Sequence, residues 1–182
     1  RLETARLNLR SPRLADAPSM AEYLTDPEVM RFLGGTTVPR EDVPAVVQKW
    51  LERWQQNGLG HFVLEQRSDG RLLGRVGFVV WDTRTWRHTT RAEAGEHAQP
   101  ELGWALARAH WGRGYATEAA LAAREWAQRE RRVGRLISLV APGNTAWRRV
   151  AERLGARPTE TVTLFDSGDA VVWEHPRPRG AP

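Results

Sequence analysis

The sequence contains no cysteine among its 182 residues. This absence excludes disulfide bonds, thiolate metal ligands and cysteine nucleophiles at once. Long apolar runs are also missing, because no stretch approaches the roughly 20 apolar residues that a membrane-spanning helix requires. The first residues enter an alternating pattern directly and show no apolar signal-peptide core. We therefore expect a soluble, cytoplasmic protein without a membrane partner.

Lysine is nearly absent as well. Of the 27 lysine and arginine residues only Lys49 is a lysine, and the arginines are scattered along the whole chain. The densest cluster, Arg129 to Arg135, falls at the end of a predicted helix, where the helix dipole favours cations. The formal net charge of +5 therefore does not predict a nucleic-acid partner. An RNA or acidic-protein partner for that cluster stays open as an alternative.

The length of the chain bounds the number of domains, and the spacing of the histidines bears on metal binding. A chain of 182 residues suits one domain, which we expect over residues 1–176, followed by a frayed tail over residues 177–182. The five histidines show no spacing typical of metal ligands, so we expect no metal.

Hydrophobic periodicity predicts alternating groups of strands and helices. The predicted strands cover residues 6–10, 61–66, 72–81, 101–106, 135–140, 161–165 and 170–173. The predicted helices cover residues 14–24, 27–33, 43–54, 116–129 and 145–154. This order indicates an α/β (α+β) fold whose sheet is mostly antiparallel, with one central strand–turn–helix unit. Residues 82–99 are polar and aperiodic, and form either a substrate loop or a mobile insertion.

A glycine turn joins the predicted strand ending at Leu106 to the following helix. Gly112-Arg113-Gly114 allows close backbone approach to a ligand, and the helix start directs unpaired N–H groups at an anion. Thr117 adds a hydroxyl group and Arg113 a positive charge. A Walker A loop is absent, and the dinucleotide fingerprint needs a third glycine where Thr117 stands. A phosphate site is one interpretation, and a plain tight turn is the other.

Four segments carry motifs that follow one another from Glu3 to about Arg157. They are Glu3–Arg10 with Asp16-Ala17, Asp26–Gly34, Glu101–Ala119 and Asn144–Gly155. Together they resemble the GNAT acetyltransferases, in particular the group that acetylates ribosomal-protein N-termini. Trp111, which stands where the wider superfamily usually has glutamine or arginine, is typical of that group.

The resemblance implies the GNAT fold, a mixed sheet with splayed central strands and flanking helices, and acetyl-CoA as the acyl donor. It places the pantetheine arm along the strand before the turn and the pyrophosphate on the N–H groups of the turn. The implied cofactor-binding residues are Trp104, Ala105, Leu106, Trp111, Gly112, Arg113, Gly114, Tyr115, Ala116, Thr117, Asn144 and Arg153.

Two residues are candidates for catalysis. Glu101 begins the strand before the turn, where the resemblance puts a recurrent carboxylate, and could deprotonate an amine directly or through water. The alternative is a structural glutamate paired with an arginine. Asn144 is both a helix cap and the asparagine expected near the arm. Trp147 replaces a serine that is common in the family, so a general acid is not assured, and Tyr115 is expected to pack inside the turn.

The implied function is transfer of an acetyl group to a primary amine by direct attack in a ternary complex. The acceptor, a protein N-terminus or a small amine, is not encoded in a recognisable motif. We expect residues 34–40 and 82–99 to form the walls of the acceptor pocket, with Trp81 and Trp86 as further candidates. Because of Trp147, an acyl-CoA-binding protein with weak or no turnover is the alternative. Relatives commonly form two-fold assemblies, but no feature of this sequence encodes one, so a homodimer stays open as an alternative.

Overall fold

A computed structural model describes residues 1–177 of the chain. Within this range the chain forms nine strands and six α-helices. The strands are β1 (Leu2–Glu3), β2 (Leu7–Arg10), β3 (His61–Gln66), β4 (Leu72–Asp82), β5 (Arg87–His88), β6 (Ala98–Leu106), β7 (Ile137–Val140), β8 (Arg157–Leu164) and β9 (Gly168–Glu174). The helices are α1 (Ala17–Leu24), α2 (Pro27–Met30), α3 (Val43–Asn57), α4 (Arg91–Ala94), α5 (Tyr115–Arg129) and α6 (Thr145–Arg153). The tail prediction for residues 178–182 lies outside the described residues.

The strands form one mixed sheet in the order β1-β2-β3-β4-β6-β7-β9-β8, with β5 paired to β4. Every pairing is antiparallel except that of β6 with β7, the two strands joined through α5. The predicted fold class is therefore confirmed. The parallel pair needs a crossover connection, and the glycine turn and α5 provide it.

The sheet carries a core on each face. Helix α5 covers one face, where Trp126 packs edge-on against Phe62, with ring centroids 5.2 Å apart. Helices α1 and α3 bury Met20, Val43 and Val47 against the other face. The alternation of β4 and β6 divides their residues between these two layers, as a period of two requires.

Local signals fixed most helix ends. Helix α3 begins at Val43 with Pro44 in its first turn and ends at Gly58, whose φ of 62° is the left-handed value preferred after a helix. Asn144 caps α6, as its sequence position indicated. Helix α2 is shorter than predicted and ends at Met30, and a turn follows up to the Gly34-Gly35 pair.

Two predictions in the middle of the chain were wrong. Strand β6 begins at Ala98 instead of Glu101, and it includes Pro100. Proline is tolerated because its missing N–H would face β7, which pairs with β6 only at Glu101. Residues 82–99 are not without regular structure, since they form β5 and the capped helix α4, and Asn57 Oδ1 of α3 accepts the Arg91 N–H at 2.8 Å.

Strand β4 contains two glycines at points where neighbouring backbones approach closely. At Gly77 φ is 150°, and a Cβ atom would lie 2.3 Å from the Gly60 carbonyl oxygen and 2.6 Å from His61 Cα. Those obstacles belong to the backbone of an adjacent chain segment and cannot rotate away. Gly77 lies opposite Gly103 on β6, so two residues without side chains form one patch of the sheet.

We predict that Gly77→Ala lowers the free energy of unfolding by about 1–3 kcal/mol, because the β3–β4 pairing must shift to admit the methyl group. Chemical denaturation measures the change. Gly134→Ala is the matched control, since nothing lies within 4 Å of its Cβ position, and it should change the stability by less than about 0.5 kcal/mol. Equal effects of the two substitutions would contradict the packing explanation.

Candidate functional site

Strands β6 and β7 separate immediately after their single paired position, Glu101 with Ile137. Two side chains take over the next hydrogen bonds. The Leu139 N–H donates to Glu101 Oε1 at 3.3 Å, and the Ser138 hydroxyl donates to the Leu102 carbonyl at 2.6 Å. Backbone groups that a regular ladder would pair are thus satisfied while the strands diverge. The result is a gap in the middle of the sheet.

His175 supports this arrangement from the terminal strand pair. Its Nε2 lies 2.9 Å from Ser138 Oγ, and both side chains are buried. Because the single hydroxyl proton goes to the Leu102 carbonyl, His175 must carry its proton on Nε2 and donate it to Ser138. Burial, with a contribution from the charge of Arg124, lowers the pKa of His175 to about 4, so the ring is neutral near pH 7.

The edge of β6 that faces the gap is open beyond Glu101. Backbone groups of alternate residues point to the same edge of a strand, so those of Trp104 and Leu106 point toward the gap, as the Leu102 carbonyl does. The Leu106 carbonyl already accepts the indole N–H of Trp111 at 2.7 Å. Ala105 directs its carbonyl toward Gly74 on β4. The predicted role of Ala105 along this edge is therefore corrected, and the edge belongs to Trp104 and Leu106.

Helix α6 brings Trp147 to the same edge. The Asn144 side chain accepts the Trp147 N–H at 3.1 Å and so caps the helix. The Trp147 ring lies 4.7 Å from the Trp104 ring at an angle of 31°, and its outer edge would be 3.5 Å from a Cβ atom at Gly103. The residue that replaces the family's serine therefore lies beside the opened strand with an aromatic surface and no hydroxyl.

The predicted glycine turn forms beyond the open edge. Gly112 and Gly114 have φ values of 73° and 79°, which favour glycine, and α5 begins at Tyr115. The N–H groups of the first helical turn have no partners within the helix. Thr117 Oγ1 is buried without a hydrogen-bond partner in the described chain. A turn with free N–H groups and an unsatisfied hydroxyl fits a phosphate-bearing ligand.

Arg6 holds this turn in place from the first strands, a role that the sequence did not reveal. Its guanidinium pairs with Glu118 at 2.7 Å, donates to the Arg113 carbonyl at 2.9 Å and lies 4.5 Å from the centre of the Tyr115 ring. Burial disfavours ionisation of Glu118, but hydrogen bonds from Thr4 and Arg6 outweigh it and lower its pKa. Tyr115 is buried and packs in the turn, as predicted.

The splayed strand pair and the phosphate-type turn are the features expected from the sequence motifs. The family model described as the acetyltransferase (GNAT) domain matches residues 6–157. This chain belongs to the GNAT acetyltransferase family.

The similarity to known proteins extends over nearly the whole of this GNAT chain. YkkB of Bacillus subtilis (strain 168) is 30% identical over 176 residues, which cover 94% of this chain and 93% of YkkB. The crystal structure of an acetyltransferase from Agrobacterium tumefaciens strain C58 has a TM-score of 0.78 at 28% identity and covers 97% and 94% of the two chains. RimL, a ribosomal L7/L12 acetyltransferase in complex with coenzyme A, shares the fold, with a TM-score of 0.73 at 14% identity over 96% of each chain.

A cavity of about 530 Å³ opens on the α1–α3 face of this GNAT sheet, beside the gap. Glu101 lies in its wall and is buried. Glu101 Oε2 accepts the indole N–H of Trp81 at 2.6 Å, and Oε1 accepts the Leu139 N–H. No arginine among residues 1–177 lies within ion-pair distance of this carboxylate, so the alternative of an arginine-paired structural glutamate is wrong. Burial raises the pKa of Glu101, although Trp81, Leu139 and the charge of Arg75 oppose that rise.

The cavity walls agree in part with the predicted acceptor segments. Gly34 and Gly35 contribute from residues 34–40, and His88 contributes from residues 82–99. Trp81 lines the cavity, whereas Trp86 packs into the apolar cluster around Leu164. Asp166 in the β8–β9 turn and Asp169 at the start of β9 also line the cavity. Their part was not predictable from the sequence, because this segment is distant along the chain from the other cavity residues.

The remaining predicted cofactor residues lie on the surface. Arg113 is exposed within the turn, and Arg153 is exposed in the last turn of α6. Within residues 1–177 no three histidine, aspartate or glutamate side chains lie close enough to hold a metal ion. No helix in that range has the length and apolarity needed to cross a bilayer.

We predict that His175 makes the protein acid-sensitive. In the unfolded chain His175 is protonated below its ordinary pKa of 6.5, whereas in the folded chain it is protonated only below a pKa of about 4. The free energy of unfolding therefore falls by about 3 kcal/mol across that interval, and the histidine contributes nothing above it. Denaturation at pH 7 and pH 5 should show a decrease about 2 kcal/mol smaller in His175→Gln than in the unsubstituted chain.

The exposed His97 provides the control for this measurement. His97→Gln should leave the difference between the two pH values as it is in the unsubstituted chain. A His175→Gln variant with the full acid-dependent decrease would show that this ring is protonated in the folded state.

Proposed function

We infer that this GNAT acyl-CoA-dependent N-acetyltransferase transfers an acetyl group to a primary amine by direct attack in a ternary complex. The observation that carries this inference is the position of Glu101. Its buried carboxylate lies in the wall of a cavity that also borders Gly103 and Trp147 at the open edge of β6. An amine in the cavity is thereby next to the place where the acyl donor's arm would run.

The described residues fit coenzyme A as a ligand. The free N–H groups from Gly112 to Thr117 and the unsatisfied Thr117 hydroxyl would hold its pyrophosphate. The open backbone of Trp104 and Leu106 would pair with its pantetheine arm. Arg113 and Arg153 are exposed cations that would be available to its phosphate groups. Bound acetyl-CoA supplies an activated acetyl thioester, and the protein supplies position and proton transfer.

Glu101 is the proton acceptor in this proposal. An amine must lose a proton to become nucleophilic, and a carboxylate with a raised pKa is a better base than an ordinary one. Trp81 and Leu139 each occupy one lone pair of the carboxylate, so both oxygens retain acceptor capacity. The proton passes to Glu101 directly or through one water molecule.

Asn144 is proposed to act by position. Its oxygen is engaged in capping α6, and its amide group lies at the entrance of the helix that carries Trp147. No hydroxyl replaces the family's serine at Trp147. Departure of the thiol therefore relies on its own acidity, because a free thiol has a pKa of about 8.5 and its thiolate leaves without a strong proton donor.

Binding and turnover together test the proposed function. Titration calorimetry should detect binding of acetyl-CoA with a dissociation constant of about 1 mM or lower, since ordinary KM values reach about 1 mM. Thiol release should then accelerate with at least one member of a panel of peptide N-termini, amino acids, polyamines and aminoglycosides. Binding without any acceptor-dependent release would instead favour the non-catalytic alternative that Trp147 suggests. Absence of binding would contradict both.

A second prediction concerns the base. Glu101→Gln should reduce kcat/KM by about 10²–10⁴-fold, the usual worth of a general base. In the unsubstituted enzyme the rate should fall as pH drops through the raised pKa of Glu101, because the protonated carboxyl cannot accept the amine proton. This acidic limb should be absent from the variant.

The exposed Glu130 supplies the control, since Glu130→Gln should leave both rate and pH profile unchanged. Acetyl-CoA affinity and circular dichroism show whether Glu101→Gln still folds and binds the donor. A folded variant with near-normal rate and an intact acidic limb would remove Glu101 from the mechanism.

A further inference from the structure

Arg75 shares the cavity with Glu101 but has no part in the chemistry described above. It lies on β4 opposite Ala105, and four residues further along β4 Val79 lies opposite Glu101. Side chains two residues apart on a strand point to the same face. The position between them is the pair Gly77 and Gly103, which carries no side chains. Arg75 and Glu101 therefore border the same open patch of sheet from two ends.

The guanidinium of Arg75 is poorly satisfied by the protein. One terminal nitrogen lies 3.3 Å from His61 Nδ1, and the guanidinium carbon lies 5.5 Å from the centre of the Trp50 ring. Its Nε is buried without a hydrogen-bond partner, and no carboxylate within residues 1–177 lies within ion-pair distance. Five N–H donors in a fixed fork thus meet a single weak acceptor.

The surroundings make this charge costly. Burial lowers the pKa of Arg75, and burial together with the charges of Arg75 and Arg53 keeps the pKa of His61 well below its ordinary value. The histidine is therefore neutral and cannot compensate the guanidinium. An arginine remains protonated even in such a place, so the charge persists. A buried charge without a partner is strongly destabilising.

The nearby polar groups cannot act as the counter-ion. The charge of Arg75 lowers the pKa of Glu101 in part, but the Glu101 oxygens accept hydrogen bonds from Trp81 and Leu139 and form no ion pair with Arg75. The Tyr23 hydroxyl is also buried without a partner near Arg75, and burial keeps it neutral by raising its pKa. Among the described residues, Arg75 is thus surrounded by donors and a neutral ring, and no anion is in contact with its guanidinium.

The solvent-exposed part of the cavity wall contributed by β8, β9 and their turn carries the reverse charge. Asp166 and Asp169 are exposed where the β8–β9 turn meets the cavity. Asp169 accepts a hydrogen bond from Thr163, and both carboxylates are close to solvent. Carboxylates at the exposed side attract an ammonium group, while a guanidinium in the buried wall attracts an anion. The ligand complementary to this distribution carries both.

We propose that the acceptor is an amine that also bears an anionic group, a carboxylate or a phosphate, and that Arg75 binds this group while the amine faces Glu101 and the acyl donor. This inference rests on the proposed function. The planar guanidinium suits both anions, because it donates two parallel hydrogen bonds to neighbouring oxygens.

Matched acceptor pairs test the proposal. Thiol release from acetyl-CoA is measured with ω-amino carboxylates from glycine to 6-aminohexanoate, each against its carboxamide. 2-Aminoethyl phosphate is compared with β-alanine to separate phosphate from carboxylate. Tripeptides that begin with aspartate or asparagine separate a peptide acceptor from a free amino acid. The chain length with the highest rate reports the separation between Arg75 and the reacting amine.

We expect at least one anionic acceptor to exceed its neutral partner about tenfold or more in kcat/KM, mainly through KM, as a charge-assisted hydrogen-bond pair allows. Arg75→Gln should abolish this ratio and Arg75→Lys should retain part of it. Arg53→Gln is the matched control, because Arg53 is a nearby half-buried arginine that does not line the cavity. It should retain the full ratio.

Equal rates for anionic and neutral acceptors in the unsubstituted enzyme would overturn the inference and leave the acetyltransferase intact. A ratio that survives in Arg75→Gln would overturn the assignment to Arg75. If acetyl-CoA binds but no amine is acetylated, the proposed function fails separately. Calorimetry with N-acetyl ω-amino carboxylates against their carboxamides then decides the anion site, and equal affinities would reject it. If Arg75→Gln does not fold, Arg75→Lys and the unsubstituted pair give the same decision.

Discussion

The separation of β6 from β7 is the constraint on which the site depends. A sheet normally closes such a gap, because unpaired buried backbone groups are costly. Here the carboxylate of Glu101 takes one N–H of β7 and the hydroxyl of Ser138 takes one carbonyl of β6. His175 satisfies the hydroxyl in turn. Three side chains thus replace the hydrogen bonds of a ladder, and the strands diverge without leaving those groups unsatisfied.

In the proposed mechanism Glu101 therefore has a structural and a chemical task at the same position. As an anion it is a strong acceptor for the Leu139 and Trp81 N–H groups, and these bonds favour ionisation. Burial opposes ionisation more strongly, so the pKa stays above its ordinary value. A carboxylate balanced in this way can accept a proton from an amine without losing its place in the sheet, because its two oxygens are fixed by donors that do not titrate near neutral pH.

Features specified by nearby residues could be predicted from the sequence, and those that depend on distant partners could not. Asn144 as a cap, the left-handed Gly58 and the turn before α5 all follow from short segments with known backbone preferences. The Ser138–His175 contact joins residues 37 positions apart, and Arg6 reaches Glu118 across 112 positions. A serine in an apolar strand or an arginine near the start gives no sign of its partner, because any of many polar groups would satisfy it.

Trp147 shows how the site compensates for a missing hydroxyl. Its ring lies beside Gly103 and 4.7 Å from the Trp104 ring, and so fills space that a smaller serine side chain would leave to water. Excluding water lowers the local dielectric and strengthens every charge interaction in the cavity. The same exclusion raises the free-energy cost of leaving the Arg75 guanidinium without an anion, and it raises the pKa of Glu101. If the proposed acceptor site is correct, the protein selects its acceptor by electrostatics at this point, and a correctly charged acceptor provides the anion that Arg75 lacks.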